Sequence, residues 1–592
     1  MALNILGISA HYHDAACCLL RDGELISAAE EERFSRVKHD PSLPWQSLRF
    51  CLEQGGISLS DVDCVAYYEN PRKKLSRQIW MALHPEASDA IRRKILSRLP
   101  NHVDRVEQEI RCRLGYTGRL EVFDHHQSHA ASSFFFSGFE EAAVLTVDGV
   151  GEWATTAFGS AAGSRIELFE EVHFPHSLGL LYSTLTSYLG FEVNDGEYKV
   201  MGLAPYGEPR YIEQVRALVT GEDAGQYHLN LEYFDFLRRD RMYSDRLIEL
   251  FGAPPRSPES ELLTFHEDVA RSIQWVLEEI LLDKVMYLYK RVPSRHLCMA
   301  GGVALNCVAN RRILSDGPFA ELFVQPAASD AGGCLGAAAL AHVHLTGERP
   351  AQGRLTHMYW GPAAPVDEIA AMLAATPLRA LDFRGRPEEL LEAAVDRLAA
   401  GKVVGWFQGR MEFGPRSLGA RSILADPRDE QMRDRINALV KMREGFRPFA
   451  PAVLEGRAGE HFAIDHPAPF MLETCRVTSP FHLPAITHVD RSARLQTVNP
   501  DASPRFAALL ACFADRTGCP ILLNTSFNMR GEPIVCTPED ALLCFTRSRI
   551  DALVLEDFII DRETLPPFWN ELDALRRQPQ ASGVSHKVYT LL

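Results

Sequence analysis

The sequence has no uninterrupted apolar run long enough to cross a bilayer. Its opening residues, MALNILGISAHYHD, lack the basic start and long apolar stretch of a secretion signal. Neither a membrane span nor export is therefore expected. There is no CxxC pair either; the 13 cysteines are odd in number and scattered. That argues against a zinc ribbon or a disulfide framework and for a reducing cytoplasm. Positive charge is also in deficit, with a net charge of −16, so a general nucleic-acid surface is not expected.

What is present is an ordinary globular composition, 46% hydrophobic and 24% charged, over 592 residues. That length exceeds what one hydrophobic core supports, so more than one domain is expected.

Two segments share a pattern. NILGISAHYHDAACCLLRDGELISAAEEER reads as strand, small polar turn, strand, Asp-Gly turn and strand. AAVLTVDGVGEWATTAFGSAAGSRIELFEE repeats that order further along. Such a hairpin at the head of each half suits a duplicated ribonuclease-H-like domain, although any antiparallel meander would look similar. The first clear seam is LTGERPAQGRLTHMYWGPAAP, rich in Gly and Pro, after which helix and strand patterns alternate again.

Within DHHQSHAAS, His125 and His129 stand four apart and would project from one helix face. With 21 histidines in the chain, about one such pair is expected by chance, and a helix merely rich in histidine is the competing reading. The pair also lacks the glutamate of a zinc-protease HExxH. Two carboxylates raise its interest. Asp148 in LTVDGVGEW and Asp330 in FVQPAASDAGG each follow an apolar strand, where a carboxylate is costly unless it is paired or binds a cation. The bland alternative for each is a turn or helix-capping residue. Two imidazoles and two carboxylates would make a mixed N/O site for Fe(II), Mn(II) or Zn(II).

MAGGVALNCVAN lets backbone approach a nucleotide at Gly301 and Gly302, or simply makes a tight turn. Residues 401–450 hold ten Lys or Arg against six Asp or Glu, a local balance of 10 − 6 = +4 in an acidic chain. Arg416 and Arg421 bracket a Gly-containing loop, Arg447 sits in FRPF, and Arg530 follows a strand pattern in LLNTSFNMRGEPIV. Guanidinium groups in such loops suit bidentate phosphate recognition; structural salt bridges are the alternative.

Taken jointly, AEEERFSRVKHD, DHHQSHAAS, VDGVGEW, EYKVMGLAPYG, AGGVALN, GRMEFGPRSLGARSIL, VKMREGFRPFAPAV and NTSFNMRGEPIV resemble the O-carbamoyltransferase family. Its members include tobramycin, cephamycin and nodulation-factor carbamoyltransferases. The resemblance spans nearly the whole chain. It implies an α/β fold: an N-terminal actin-like, duplicated ribonuclease-H-like domain over residues 1–350, similar to that of the tRNA threonylcarbamoyl transferases. A carbamoyl-adenylate-forming α/β domain over 358–570 and a tail over 571–592 would follow. The hydrogenase-maturation relative is disfavoured, since this sequence has no CxxC region ahead of the actin-like domain.

The resemblance further implies that carbamoyl phosphate and Mg-ATP meet at Arg416, Lys441, Arg447, Arg494, Asn528 and Arg530, forming carbamoyl adenylate and releasing pyrophosphate. Arg416 and Lys441 are the catalytic members of that set. In the N-terminal domain His125, His129, Asp148 and Asp330 match the ligands of Fe(II), with Mn(II) or Zn(II) as alternatives. Lys38, Asp148, Gly149, Gly151, Gly179, Lys199, Gly302 and Asn306 fall in motifs of the carbamoyl-adenylate site. His13 is assigned as general base for the acceptor hydroxyl, with His11 as its rival. His126 is assigned a supporting or structural place.

The partners implied are carbamoyl phosphate, ATP and a small-molecule alcohol, without nucleic acid or membrane; a homodimer is compatible with the sequence. The acceptor stays open among aminoglycosides, macrolides or ansamycins, β-lactam intermediates and lipo-oligosaccharides. Rival readings are an actin-fold small-molecule kinase, carbamoylation of a macromolecule, a nucleotide-dependent regulator and a metal-dependent peptidase.

Overall fold

The structure, a computed structural model, describes residues 2–98, 105–221, 224–441 and 444–566, without the side chains of Arg98 and Lys441. The tail expected over 571–592 lies outside the described residues. The chain divides into two compact units. One comprises 2–31 and His39–Leu355; the other comprises Glu32–Lys38 and 356–566.

The first unit contains two five-stranded sheets. In the first, β1 (Asn4–Ser9), β2 (Ala16–Arg21), β3 (Glu24–Glu30), β4 (Cys64–Tyr67) and β5 (Arg119–Val122) run in the order β3-β2-β1-β4-β5. β1 pairs antiparallel with β2 and parallel with β4. The second sheet, from β6 (Glu141–Val147), β7 (Ala154–Ala162), β8 (Arg165–His173), β9 (His296–Ala300) and β10 (Glu321–Val324), has the order β10-β9-β6-β7-β8. The two orders are the same topology written twice, since β6 pairs antiparallel with β7 and parallel with β9. This is the duplicated ribonuclease-H-like architecture that the repeated hairpins suit and that the family resemblance implies for an actin-like domain. All six residues of β1 are buried, as are six of seven in β6. Strands covered on both faces need such continuous apolar runs.

The helices that matter for the site are α1 (Pro71–Leu83), α2 (His125–Phe134), α3 (Leu178–Tyr188), α4 (Thr264–Arg291), α5 (Cys307–Asp316) and α6 (Asp330–Thr346). α6 packs against α2 and β1. The approach to α2 is so close that a Cβ on Gly336 would fall on the Ser128 carbonyl oxygen, so only glycine fits there. Asp330 follows the apolar strand β10, which ends at Val324, and opens the Gly-rich start of α6.

In the second unit, β11 (Leu381–Asp382), β12 (Val404–Phe407), β13 (Arg421–Ala425), β14 (Ala450–Leu454), β15 (Gln496–Val498), β16 (Ile521–Ser526), β17 (Ala552–Leu555) and β18 (Phe558–Asp561) form one mixed sheet ordered β11-β18-β17-β12-β13-β16-β14-β15. Trp406, Ile423, Leu522 and Leu553 anchor its core with Phe513 and Phe545 from flanking helices. No helix of the described residues is long and apolar enough to cross a membrane.

Candidate metal centre

Asp124 precedes α2, and His125 and His129 lie one turn apart on it, both buried. The side chain that meets the free N–H at this helix start belongs to Glu152, whose Oε1 accepts from His125 N at 2.9 Å and from Asn70 N at 2.7 Å. Burial comes first in holding the Glu152 carboxyl up at about 7, against the opposing pull of His125.

Asp148 leaves the end of β6. Its Oδ1 accepts from Gly302 N at 2.8 Å, which ties it to the glycine turn after β9. Asp330 Oδ2 accepts from the Tyr68 hydroxyl at 3.0 Å. What remains of the two carboxylates faces the two imidazoles. His125 Nε2 lies 3.1 Å from Asp148 Oδ2 and 3.6 Å from Asp330 Oδ1; His129 Nε2 lies 3.7 and 3.9 Å from the same atoms. Both His125 and Asp330 are 0% exposed.

The donor set fits a divalent cation. Four ligands about 2.1 Å from one ion would stand roughly 3.4 Å apart in a tetrahedron, and the four spacings run from 3.1 to 3.9 Å. Asp330 Oδ1 is a buried carboxylate oxygen with no hydrogen-bond partner, a costly arrangement that a cation would relieve. Burial depresses His125, yet the carboxylates of Asp330 and Asp148 outweigh it and leave the imidazole raised to about 9. Burial likewise favours protonated Asp148, but its bonds to His125 and His129 hold it well below the usual carboxylate range. The pocket thus attracts positive charge strongly, whether as protons or as a metal.

His126 points elsewhere. Its Nε2 donates to Ala154 O at 2.9 Å, so Nδ1 accepts from the Thr146 hydroxyl at 2.7 Å. Burial, followed by the neighbouring His125 and His129, keeps it neutral, with its pKa well below normal. It staples α2 to β6 and β7.

The turn between β1 and β2 brings His13 to this cluster, with Nε2 4.0 Å from Asp330 Oδ2 and Nδ1 3.1 Å from Asp14 Oδ2. The other oxygen of Asp14 accepts from His39 Nδ1 at 2.6 Å, and His39 Nε2 stands 3.7 Å from Asp195. Asp14 and His39 have φ of 50° and 55°, a left-handed conformation that non-glycine residues adopt under constraint, often at functional sites. His11, the rival of His13, instead pairs with Glu109 at 3.2 Å.

Of the positions assigned to a nucleotide, Gly149 and Gly151 lie in the β6–β7 connection beside Asp148. Gly179 lies at the start of α3, where an added Cβ would come within 2.7 Å of Gly149 Cα. Gly302 binds Asp148 as above, and Asn306 caps α5 through Ala309 N at 3.0 Å and exchanges bonds with Gln274 on α4. Lys199 Nζ lies 5.5 Å from the centre of the Phe191 ring. Lys38 lies in Glu32–Lys38, which belongs to the second unit.

In the second unit Arg416 is half-buried in the β12–β13 connection. Two neighbouring strands tie to that connection: Gln496 Nε2 donates to Leu418 O at 2.7 Å, and Asn524 Nδ2 donates to Ser417 O at 3.3 Å. The first tie brings in the segment of Arg494 and the second that of Asn528 and Arg530. Asn528 accepts from Ser526 and donates to Glu532 O, each at 2.7 Å. Arg447 pairs with Glu444 at 3.7 Å, and Arg530 is exposed. The Lys441 side chain lies outside the described residues. Arg421 has a different place from Arg416. It is fully buried, 3.5 Å from the centre of the Phe407 ring, and donates to the carbonyls of Gln408, Gly409, Ala420 and Pro362.

Sequence reasoning missed four residues beside the centre. Asp14 and His39 fall within quoted motifs, HYHD and VKHD, and could have been taken with His13. Glu152 sits in VDGVGEW. Tyr68, after a plain buried strand, carries no local signal.

Residues 4–339 match the family model described as carbamoyltransferase N-terminus, and residues 395–562 match that described as carbamoyltransferase C-terminus. An uncharacterized protein of Synechocystis sp. is 45% identical over 95% of this chain and 97% of its own length. Nodulation protein NolNO of Sinorhizobium fredii is 38% identical over 98% of this chain and 83% of its own. The 3'-hydroxymethylcephem-O-carbamoyltransferase of Amycolatopsis lactamdurans is 28% identical over 92% and 96%.

Proposed function

The chain belongs to the carbamoyltransferase family, and on that premise we propose that it is an ATP-dependent O-carbamoyltransferase acting on a hydroxyl of a small natural product. The observation that carries this reading is the convergence of His125, His129, Asp148 and Asp330 beside His13. The reading gains support from a relative named as an O-carbamoyltransferase of a hydroxymethyl-bearing cephem.

Two steps balance the chemistry. In the second unit carbamoyl phosphate gives up inorganic phosphate to water, and the resulting carbamate oxygen attacks the α-phosphorus of Mg-ATP. Carbamoyl adenylate forms and pyrophosphate leaves. Arg416, Lys441, Arg447, Arg494, Asn528 and Arg530 would hold the phosphates and offset their mutual repulsion.

In the first unit the acceptor hydroxyl attacks the carbamoyl carbon, AMP leaves, and one proton is released. His13 Nε2 would take that proton, while Asp14 holds Nδ1–H and fixes the tautomer. Gly149, Gly151, Gly179, Lys199, Gly302 and Asn306 would surround the adenylate. His125, His129, Asp148 and Asp330 would hold the divalent ion, Fe(II) in this reading, with Mn(II) or Zn(II) also suited to the donors. Once bound, the ion supplies a Lewis acid for the carbamoyl oxygen.

We place the reaction in the cytoplasm, because the 13 cysteines are all free and none forms a disulfide. Incubation with ATP and carbamoyl phosphate alone, followed by phosphorus NMR, tests the first step. Pyrophosphate and a carbamoyl-adenylate signal, both lost in Lys441→Ala, are expected. Release of ADP instead would replace this reading with a kinase.

A further inference from the structure

The connection between β12 and β13, residues 408–420, is long and has no regular structure, yet it is pinned almost throughout. Its centre of attachment is Glu412, which is 3% exposed. One oxygen of this carboxylate, Oε1, accepts from the backbone N–H of Leu418 at 2.7 Å, Ala420 at 2.7 Å and Arg421 at 3.2 Å. Burying a carboxylate is costly, and here the return is specific: the groups it binds are amides just beyond Arg416.

The remaining ties act on the same stretch. Leu418 O accepts from Gln496 Nε2 and from the Tyr359 hydroxyl, each at 2.7 Å. Gly414 and Gly419 hold φ of 111° and 109°. At Gly419 a Cβ would also run into the Phe506 ring, so the backbone has little room to take another path. From Phe413 to Ala420, only Pro415 and Arg416 are half-buried rather than buried.

We infer that Glu412 is a positioning residue for phosphate recognition: by fixing the amides of Leu418, Ala420 and Arg421 it sets the direction in which Arg416 presents its guanidinium. This rests on the reading of the second unit as the place where carbamoyl phosphate is bound. Glu412 itself touches no substrate in this scheme and acts through Arg416.

The test is a double-mutant cycle on the full-length protein with two measurements. One is the KM for carbamoyl phosphate in pyrophosphate release with ATP; the other is the affinity for inorganic phosphate by calorimetry. Arg416→Ala, Glu412→Ala, Glu412→Gln and the double alanine variant are compared with the wild type. Misplacement by about 1 Å can cost roughly 100-fold in a positioned group, so Glu412→Ala should weaken phosphate about tenfold or more.

Glu412→Gln keeps an acceptor oxygen and should stay within about threefold of the wild type. The double variant should be no worse than Arg416→Ala alone, because the two residues act as one unit. Additive losses would overturn the inference, as would a folded Glu412→Ala with unchanged phosphate affinity. Phosphate affinity that does not depend on Arg416, or no phosphate binding by the wild type, would overturn it as well. If Glu412→Ala fails to fold, Glu412→Asp, whose carboxylate is retracted, takes its place with the same expectations. A wild type that releases no pyrophosphate defeats the proposed function, while the phosphate cycle still decides the inference.

Discussion

His125 Nε2 lies 3.0 Å from His129 Nε2, with the two side chains one helical turn apart. Two imidazole nitrogens at that separation share one proton at most, or both turn lone pairs toward a cation. The facing carboxylates of Asp148 and Asp330 favour positive charge between them.

If the cluster holds the proposed divalent ion, removing it should destabilise the first unit. An ion present at 100 times its Kd adds about 2.7 kcal/mol to the folded state, so chelation should lower the unfolding midpoint and Fe(II) should restore it. Asp330→Ala or His129→Ala should bring metal content, measured by plasma mass spectrometry, to near zero. Wild-type metal content in both variants would remove the cluster as the binding site.

His13→Asn should separate the two steps. Loss of a general base costs roughly 10²- to 10⁴-fold, and that loss should fall on carbamoyl transfer, measured with a hydroxyl acceptor by mass spectrometry. Pyrophosphate release in the second unit should be unaffected. The same substitution at His11, which is engaged with Glu109, should cost transfer far less.

Arg416 and Arg421 should behave in opposite ways. Arg421→Met leaves the carbonyls of Gln408 and Gly409 without their donor, while those of Ala420 and Pro362 keep the backbone N–H of Gln408 and of Met411. Unsatisfied buried acceptors of this kind should cost about 3 kcal/mol in urea unfolding. Arg416→Ala should change stability by less than about 1 kcal/mol and reduce pyrophosphate release instead.

Gly336→Ala should damage the metal centre from a distance. The added Cβ would fall on the Ser128 carbonyl oxygen, pushing α6 away from α2. Overpacking of this kind costs about 1–3 kcal/mol. Because Asp330 starts α6 while His125 and His129 ride on α2, metal content should fall as well. A stable variant with full metal content would show that the helices separate without moving the ligands.

Much of the fold was legible because its signals are local. The repeated hairpin pattern found β1 to β3 and β6 to β8, and the spacing of His125 and His129 placed both on one helix face. Other features were not legible. Tyr68 carries no local mark, and Arg421 sits in the same basic stretch as Arg416 with the same side chain.

The sequence by itself determined the elements, the available chemistry and the family, since periodicity, turn residues and motifs all act over short spans of chain. Only the tertiary structure decided which of several alike side chains meet: His13 rather than His11 beside Asp330, and Glu412 on the amides that follow Arg416. Those choices depend on approach between segments distant in the chain, where burial makes a hydrogen bond or an ion pair either complete or costly.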